Sequence, residues 1–259
     1  MELLSAVSRW LHIVAGIAWI GLLYFFNFVN APFTGTMDGD TKKKVVPELM
    51  PRALYWFRWG AAWTWVTGVL LLLLVFYHGG LMFDPGGDWG VAAAAMIAVT
   101  FLAVFLYDAL HKSPLGKDPR IFATVGFVLS AVVLLLMARW AGFGYRAFNI
   151  HIATLFGTIM AFNVWFRIWP AQQKVIAKVK AGEAPDAALA ALAASRSRHN
   201  TYLSVPLVWG MINQHTTYFS GGNLGIPYEW SFVVFLVVTL VGWHVVWQLY
   251  KRAGKVKGF

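Results

Sequence analysis

Apolar residues run through this chain in seven long, nearly charge-free stretches, at 7–29, 54–77, 89–110, 121–138, 148–169, 201–219 and 230–250. A helix needs about 20 such residues to cross a hydrocarbon core roughly 30 Å thick. Lipid leaves the backbone only two spanning forms, helix or closed barrel. These stretches are too long and too uniformly apolar for barrel strands. The pattern predicts an all-α fold, a polytopic membrane helix bundle of seven transmembrane helices forming a single membrane domain over 1–259. Turn formers punctuate the connections: Pro47 and Pro51, then Gly79, Gly80, Pro85, Gly86 and Gly87, and finally Gly221, Gly222 and Pro227.

The polar positions set the orientation. Eighteen of the 21 Lys and Arg residues fall on one side of the seven stretches, and only Arg9, Arg139 and Arg146 on the other. This alternation predicts an outside N-terminus and an inside C-terminus, N-out/C-in, in a membrane crossed several times. The longest connection, 170–200, then lies in the cytoplasm. Val175, Ile176 and Val179 opposite Lys174 and Lys178 give it a basic amphipathic start near the headgroups, and an Ala-rich helix follows. The first stretch is too long for a signal-peptide core and reads as a retained span.

Composition narrows the chemistry. The chain is 59% hydrophobic and 12% charged, with a net charge of +10. Because that charge sits between spans, it reads as topology and excludes a nucleic-acid surface. The absence of cysteine excludes disulfides, thiolate clusters and covalent haem attachment. Histidine is the remaining ligand type. His12, His151 and His215 are expected in the outer half of the membrane, with His12 about one turn into the first span, and His244 in the inner half. His78, His111 and His199 mark span ends, where a histidine is usually interfacial or bonds between helices. A site rich in imidazole and poor in carboxylate suits haem b best and copper less well. The candidate cofactor and metal ligands are therefore His12, His151, His215 and His244, with no pairing fixed by spacing. Asn27, Asn163, Asn213 and Gln214 are polar positions at membrane depth. They suit either a substrate or interhelical hydrogen bonds.

Several segments resemble one family. They are Arg9–His12 with Gly16–Gly21 and Tyr24–Asn27, His151 with Gly157–Val164, Pro170–Gln172, Ser197–Tyr202, and Asn213–His215. Together they resemble the N-terminal membrane domain of bacterial cytochrome-c-linked urate oxidases, the integral-membrane urate hydroxylases. The resemblance implies a place in the bacterial inner membrane and oxidation of urate to 5-hydroxyisourate in purine catabolism, with electrons passing through haem to a c-type cytochrome. That cytochrome is not part of these 259 residues, so a separate periplasmic c-type cytochrome or a partner subunit is the expected acceptor, with lipid as the other partner. No catalytic residue follows from this reading. The alternative is a non-catalytic b-type electron-transfer or structural subunit of a larger respiratory or photosynthetic complex. A solute transporter is more remote, because the chain shows no internal repeat.

Overall fold

A computed structural model describes residues 2–216, 218–220 and 225–256. Gly221 and Gly222, named above as turn formers, and Lys257, one of the eighteen cations of the inner side, lie outside the described residues.

The described chain is helical, with a single isolated bridge between Phe83 and Phe143 in place of any strand. We number its long helices α1 (Glu2–Thr36), α2 (Gly39–Tyr77), α3 (Val91–Lys112), α4 (Pro119–Trp140), α5 (Tyr145–Lys180), α6 (Ala187–Asn213) and α7 (Phe232–Ala253). Local chemistry sets several ends. Asp38 caps α2, its carboxylate accepting from the Thr41 amide and hydroxyl at 2.9 and 2.8 Å. Asp118 caps α4 in the same way, with Pro119 at the first helical position. Gly182, at φ +74°, turns the chain between α5 and α6, a conformation that favours glycine.

Six segments among the described residues are long and apolar enough to cross a membrane: α1 to α5, and α7 with the short 3₁₀ turn before it. The expected sixth span, 201–219, is not one of them. Its helix begins earlier, at Ala187, and ends at Asn213, before Gln214 and His215. Residues 201–213 alone reach only about 20 Å at the helical rise. The preceding turns carry Arg196, Arg198, His199 and Asn200, which lower the hydropathy. The expected 170–200 connection is helical over most of its length, since α5 runs on to Lys180 and α6 starts at Ala187.

α1 leaves Leu3, Trp10, Leu11, Ile13, Val14 and Ile17 exposed along its length. Large contiguous apolar faces of this kind need a covering other than water. In α5, 89% of the most apolar 18-residue window is buried, against 11% in α4. α5 is thus an enclosed helix and α4 a peripheral one.

Contacts fall into two compact units, one of residues 1–69, 160–204 and 243–259, the other of 70–159 and 205–242. In the first unit α1 and α2 approach closely at Gly60, where a Cβ would lie 3.2 Å from the Trp19 amide nitrogen. Trp19, Leu23 and Phe57 are buried there. In the second unit Gly210 lets α6 meet Ala153 and the Asn149 carbonyl of α5, leaving no room for a side chain. Small residues at such crossings are the usual solution for apolar helices.

Candidate functional site

Four stretches of π-helix interrupt the long helices, at Phe25–Asn30, Leu72–Tyr77, Leu136–Trp140 and Val164–Ile168. Such turns are rare and often sit at functional sites, because the extra residue re-aims side chains. Two of them, Phe25–Asn30 in α1 and Val164–Ile168 in α5, belong to the first unit. Both contribute to a cavity of about 340 Å³ within it.

The cavity has an aromatic and aliphatic wall containing Phe26, Phe57, Leu54 and Ile168. Phe26 and Phe57 meet edge to face, centroids 5.3 Å apart. The polar lining consists of Asn27, Asn30, Gln172, Ser197, Arg198 and Tyr250. Among the described residues Arg198 is the single charged side chain of the lining, with no carboxylate, lysine or histidine beside it. α6 supplies Ala193, Ala194, Ser197 and Arg198, two adjacent pairs one turn apart and hence on one face.

Hydrogen bonds fix the walls. The Asn27 amide donates to the Leu23 carbonyl and the Ser197 hydroxyl, both at 2.8 Å, and its oxygen accepts from the Tyr250 hydroxyl at 2.8 Å. The Arg198 guanidinium lies 5.4 Å from the Tyr250 ring centroid, and Tyr250 stacks on Tyr202 at 6.1 Å. Behind the cavity, Arg196 is fully buried and donates to the Asn163 amide oxygen at 3.2 Å. Asn163 in turn donates to Asn200 at 2.9 Å, and Asn200 to the Met160 carbonyl at 3.0 Å. Arg196 counts in the sequence as a charge beside the membrane; in the structure it is part of a buried polar network.

The candidate histidines occupy different environments. His12 stands ten residues into α1, about 15 Å from its start. The helix begins at Glu2, five residues before the apolar stretch does. The His12 Nδ1 donates to the Thr64 carbonyl at 2.9 Å, with the Thr67 hydroxyl at 3.2 Å. Gly68 makes room for the ring, since a Cβ there would come 3.0 Å from its Cε1. This is the usual anchoring of a metal-binding imidazole through its second nitrogen.

His151 is fully buried, and both of its nitrogens are engaged. Nδ1 donates to the Ala147 carbonyl at 2.7 Å, which leaves Nε2 to accept from the Tyr77 hydroxyl at 3.0 Å. Phe76 and Phe143 enclose the ring. His215 is exposed just past the end of α6, its amide donating to the Ile212 carbonyl. His244 is exposed on α7, where its Nε2 accepts from Gln248 at 3.2 Å.

Among the described residues, no three His, Asp or Glu side chains gather into a metal-holding group. His12 and His244 belong to the first unit, His151 and His215 to the second. For the haem that the resemblance implies, the chemistry of the His12 and His151 imidazoles differs: both donate Nδ1 to a backbone carbonyl, which makes Nε2 the basic nitrogen, and His151 spends that nitrogen on Tyr77.

The sequence did not single out the cavity. Gln172, Ser197 and Arg198 entered it only as parts of resembling segments, and Tyr250 only as the end of a span. Asn27 was noted as a polar residue at membrane depth. The second unit holds another pairing that spacing could not show. The Tyr228 hydroxyl donates to Asp84, and accepts from the Tyr145 amide at 3.3 Å.

A bundle of long apolar helices with a small polar cavity in one unit fits a membrane-embedded binding protein or enzyme. The chain matches the family described as urate oxidase N-terminal over residues 33–257, and it belongs to that family. His12 precedes the matched residues, whereas His151, His215, His244 and most of the cavity lining fall within them. No curated protein and no solved structure matches the chain.

Proposed function

We propose that this chain is a multi-pass membrane oxidoreductase acting on urate, with the cavity of the first unit as its substrate site. One observation carries the reading. Segments that resemble the urate hydroxylases, Tyr24–Asn27, Pro170–Gln172 and Ser197–Tyr202, come from three helices and line or brace one cavity. Urate is a flat, singly charged anion at neutral pH, edged with N–H and C=O groups. The lining offers one cation, several amides and hydroxyls, and aromatic walls, as a small polar ligand requires.

Oxidation of urate to 5-hydroxyisourate adds one water and releases two protons and two electrons. The residues of the cavity account for binding and orientation in that reaction. Arg198 neutralises the anion with its fork of donors. Phe26 and Phe57 form an apolar wall beside the ring, and the Asn27–Ser197–Tyr250 bonds hold α1, α6 and α7 at a fixed separation. Haem b, when bound, would supply one-electron chemistry, and His12 is the side chain suited to hold it. The purified protein should oxidise urate with an artificial electron acceptor. Failure with every acceptor, in a folded protein that binds urate, would leave a binding role without turnover.

The proposed acceptor is a separate periplasmic c-type cytochrome or a partner subunit, met by the acidic 79–88 and 220–229 connections. Residues 221–224 of the second lie outside the described residues. Asp84 is engaged by Tyr228, so exposed Glu229 is the cleaner probe. Reduction of added cytochrome c should slow with rising salt and in Glu229→Lys, as charge steering requires. A rate indifferent to both would remove this partner.

A further inference from the structure

The polar groups of the cavity differ in how much hydrogen-bonding capacity they have left. Asn27 has spent both amide hydrogens, on Leu23 and Ser197, and its oxygen already accepts from Tyr250. It is a clasp between helices, and any ligand finds at most one of its lone pairs. Asn30 retains more, its amide making only a hydrogen bond to the Met50 sulfur, a weak acceptor, at 3.4 Å. Gln172 retains all of it. Its side chain is half-buried on the α5 wall and makes no hydrogen bond among the described residues.

A carboxamide presents an N–H donor and a C=O acceptor side by side. The complement of that pair is a lactam edge, in which a ring N–H stands beside a ring carbonyl. We propose that Gln172 reads such an edge and is the specificity-determining residue of the cavity. On this assignment Arg198 selects for negative charge, Gln172 selects the ring, and Asn27 is a positioning residue. The ligand class is a planar, anionic heterocycle with an unsubstituted lactam N–H. A methyl group on that nitrogen removes the donor, leaves the Gln172 oxygen facing carbon and adds bulk. A site built to hydrogen-bond a group rejects the analogue that lacks it more strongly than an apolar pocket rejects an extra methyl.

The inference rests on the urate reading and is tested apart from it. The full chain, purified in detergent, is titrated with urate and with each of its N-methyl isomers. Wild type should bind urate, and at least one isomer should bind about 10–100-fold more weakly, the range of one lost hydrogen bond with its desolvation. Gln172→Met keeps the length and removes the amide. In that variant urate should weaken, and the discriminated isomer should come within about threefold of it. Gln172→Leu serves as a second apolar variant, and circular dichroism confirms that each is folded. Undiminished discrimination in both folded variants overturns the assignment of Gln172 and leaves the urate reading intact. Equal binding of all isomers by wild type does the same. A wild type that binds neither urate nor any isomer overturns the urate reading itself, and this inference with it.

Discussion

Tyr250 and Asn27 stand 223 positions apart and meet hydroxyl to amide oxygen at 2.8 Å. The bond joins α7 to the π-helical turn of α1, and through Ser197 the same amide reaches α6. One side chain therefore ties three helices around the cavity. Tyr250→Phe should cost about 1 kcal/mol of stability. Asn27→Leu should cost about 1–3 kcal/mol, because it also strips Ser197 and the Leu23 carbonyl of a donor. Thermal unfolding in detergent measures both. Equal, negligible losses would show that the clasp contributes nothing.

The cap of α2 gives a dependence on pH. Hydrogen bonds from the Thr41 amide and hydroxyl hold the Asp38 carboxyl below the usual carboxylate range. A carboxyl depressed on folding contributes stability above its unfolded pKa and loses it as pH falls through the folded value. Amide exchange at Thr41 should therefore rise, relative to the intrinsic rate, as the solution is acidified through the carboxylate range. In Asp38→Asn, whose oxygen does not titrate, that relative rise should be absent. The same acid rise in the variant would place its cause elsewhere.

Visible spectroscopy separates the imidazoles. With haem b bound, His12→Ala should abolish or shift the Soret band. His78→Ala should leave it unchanged, and so should His151→Gln, because His151 spends its nitrogens on Ala147 and Tyr77. A pyridine haemochrome assay fixes the haem content. A colourless, metal-free and folded protein that still oxidises urate would remove haem from the account.

What could be read from the sequence follows from what each signal measures. Apolar length is a property of contiguous residues, so the first five spans and the last one were plain. Thr201–Phe219 reads as a full crossing because Val205, Pro206, Leu207, Val208 and Trp209 are apolar, whereas the helix there runs from Ala187 to Asn213. The helix is broken after Asn213 by a turn that hydropathy does not weigh. The start of the first helix lies ahead of the apolar run because Glu2 and Ser5, polar residues that end such a run, still continue the helix. The cavity was beyond reach for a different reason. Its side chains come from α1, α2, α5, α6 and α7, and π-helical turns aim some of them. Neither tertiary pairing nor a local change of helical pitch leaves a periodic trace in one sequence. Arg198 shows the ambiguity most plainly, since a charge that marks topology and a charge that lines a site look alike until the fold places them.

The central claim is that the cavity holds urate through Arg198, and equilibrium binding of labelled urate to the purified chain tests it most directly. Wild type should bind one urate per chain saturably. Arg198→Gln should weaken binding about 10–100-fold, the loss of a charged hydrogen-bonding partner. Arg146→Gln, an exposed change in the other unit, should leave it unaltered. No saturable binding by folded wild type, or equal affinity in wild type and Arg198→Gln, would contradict the account.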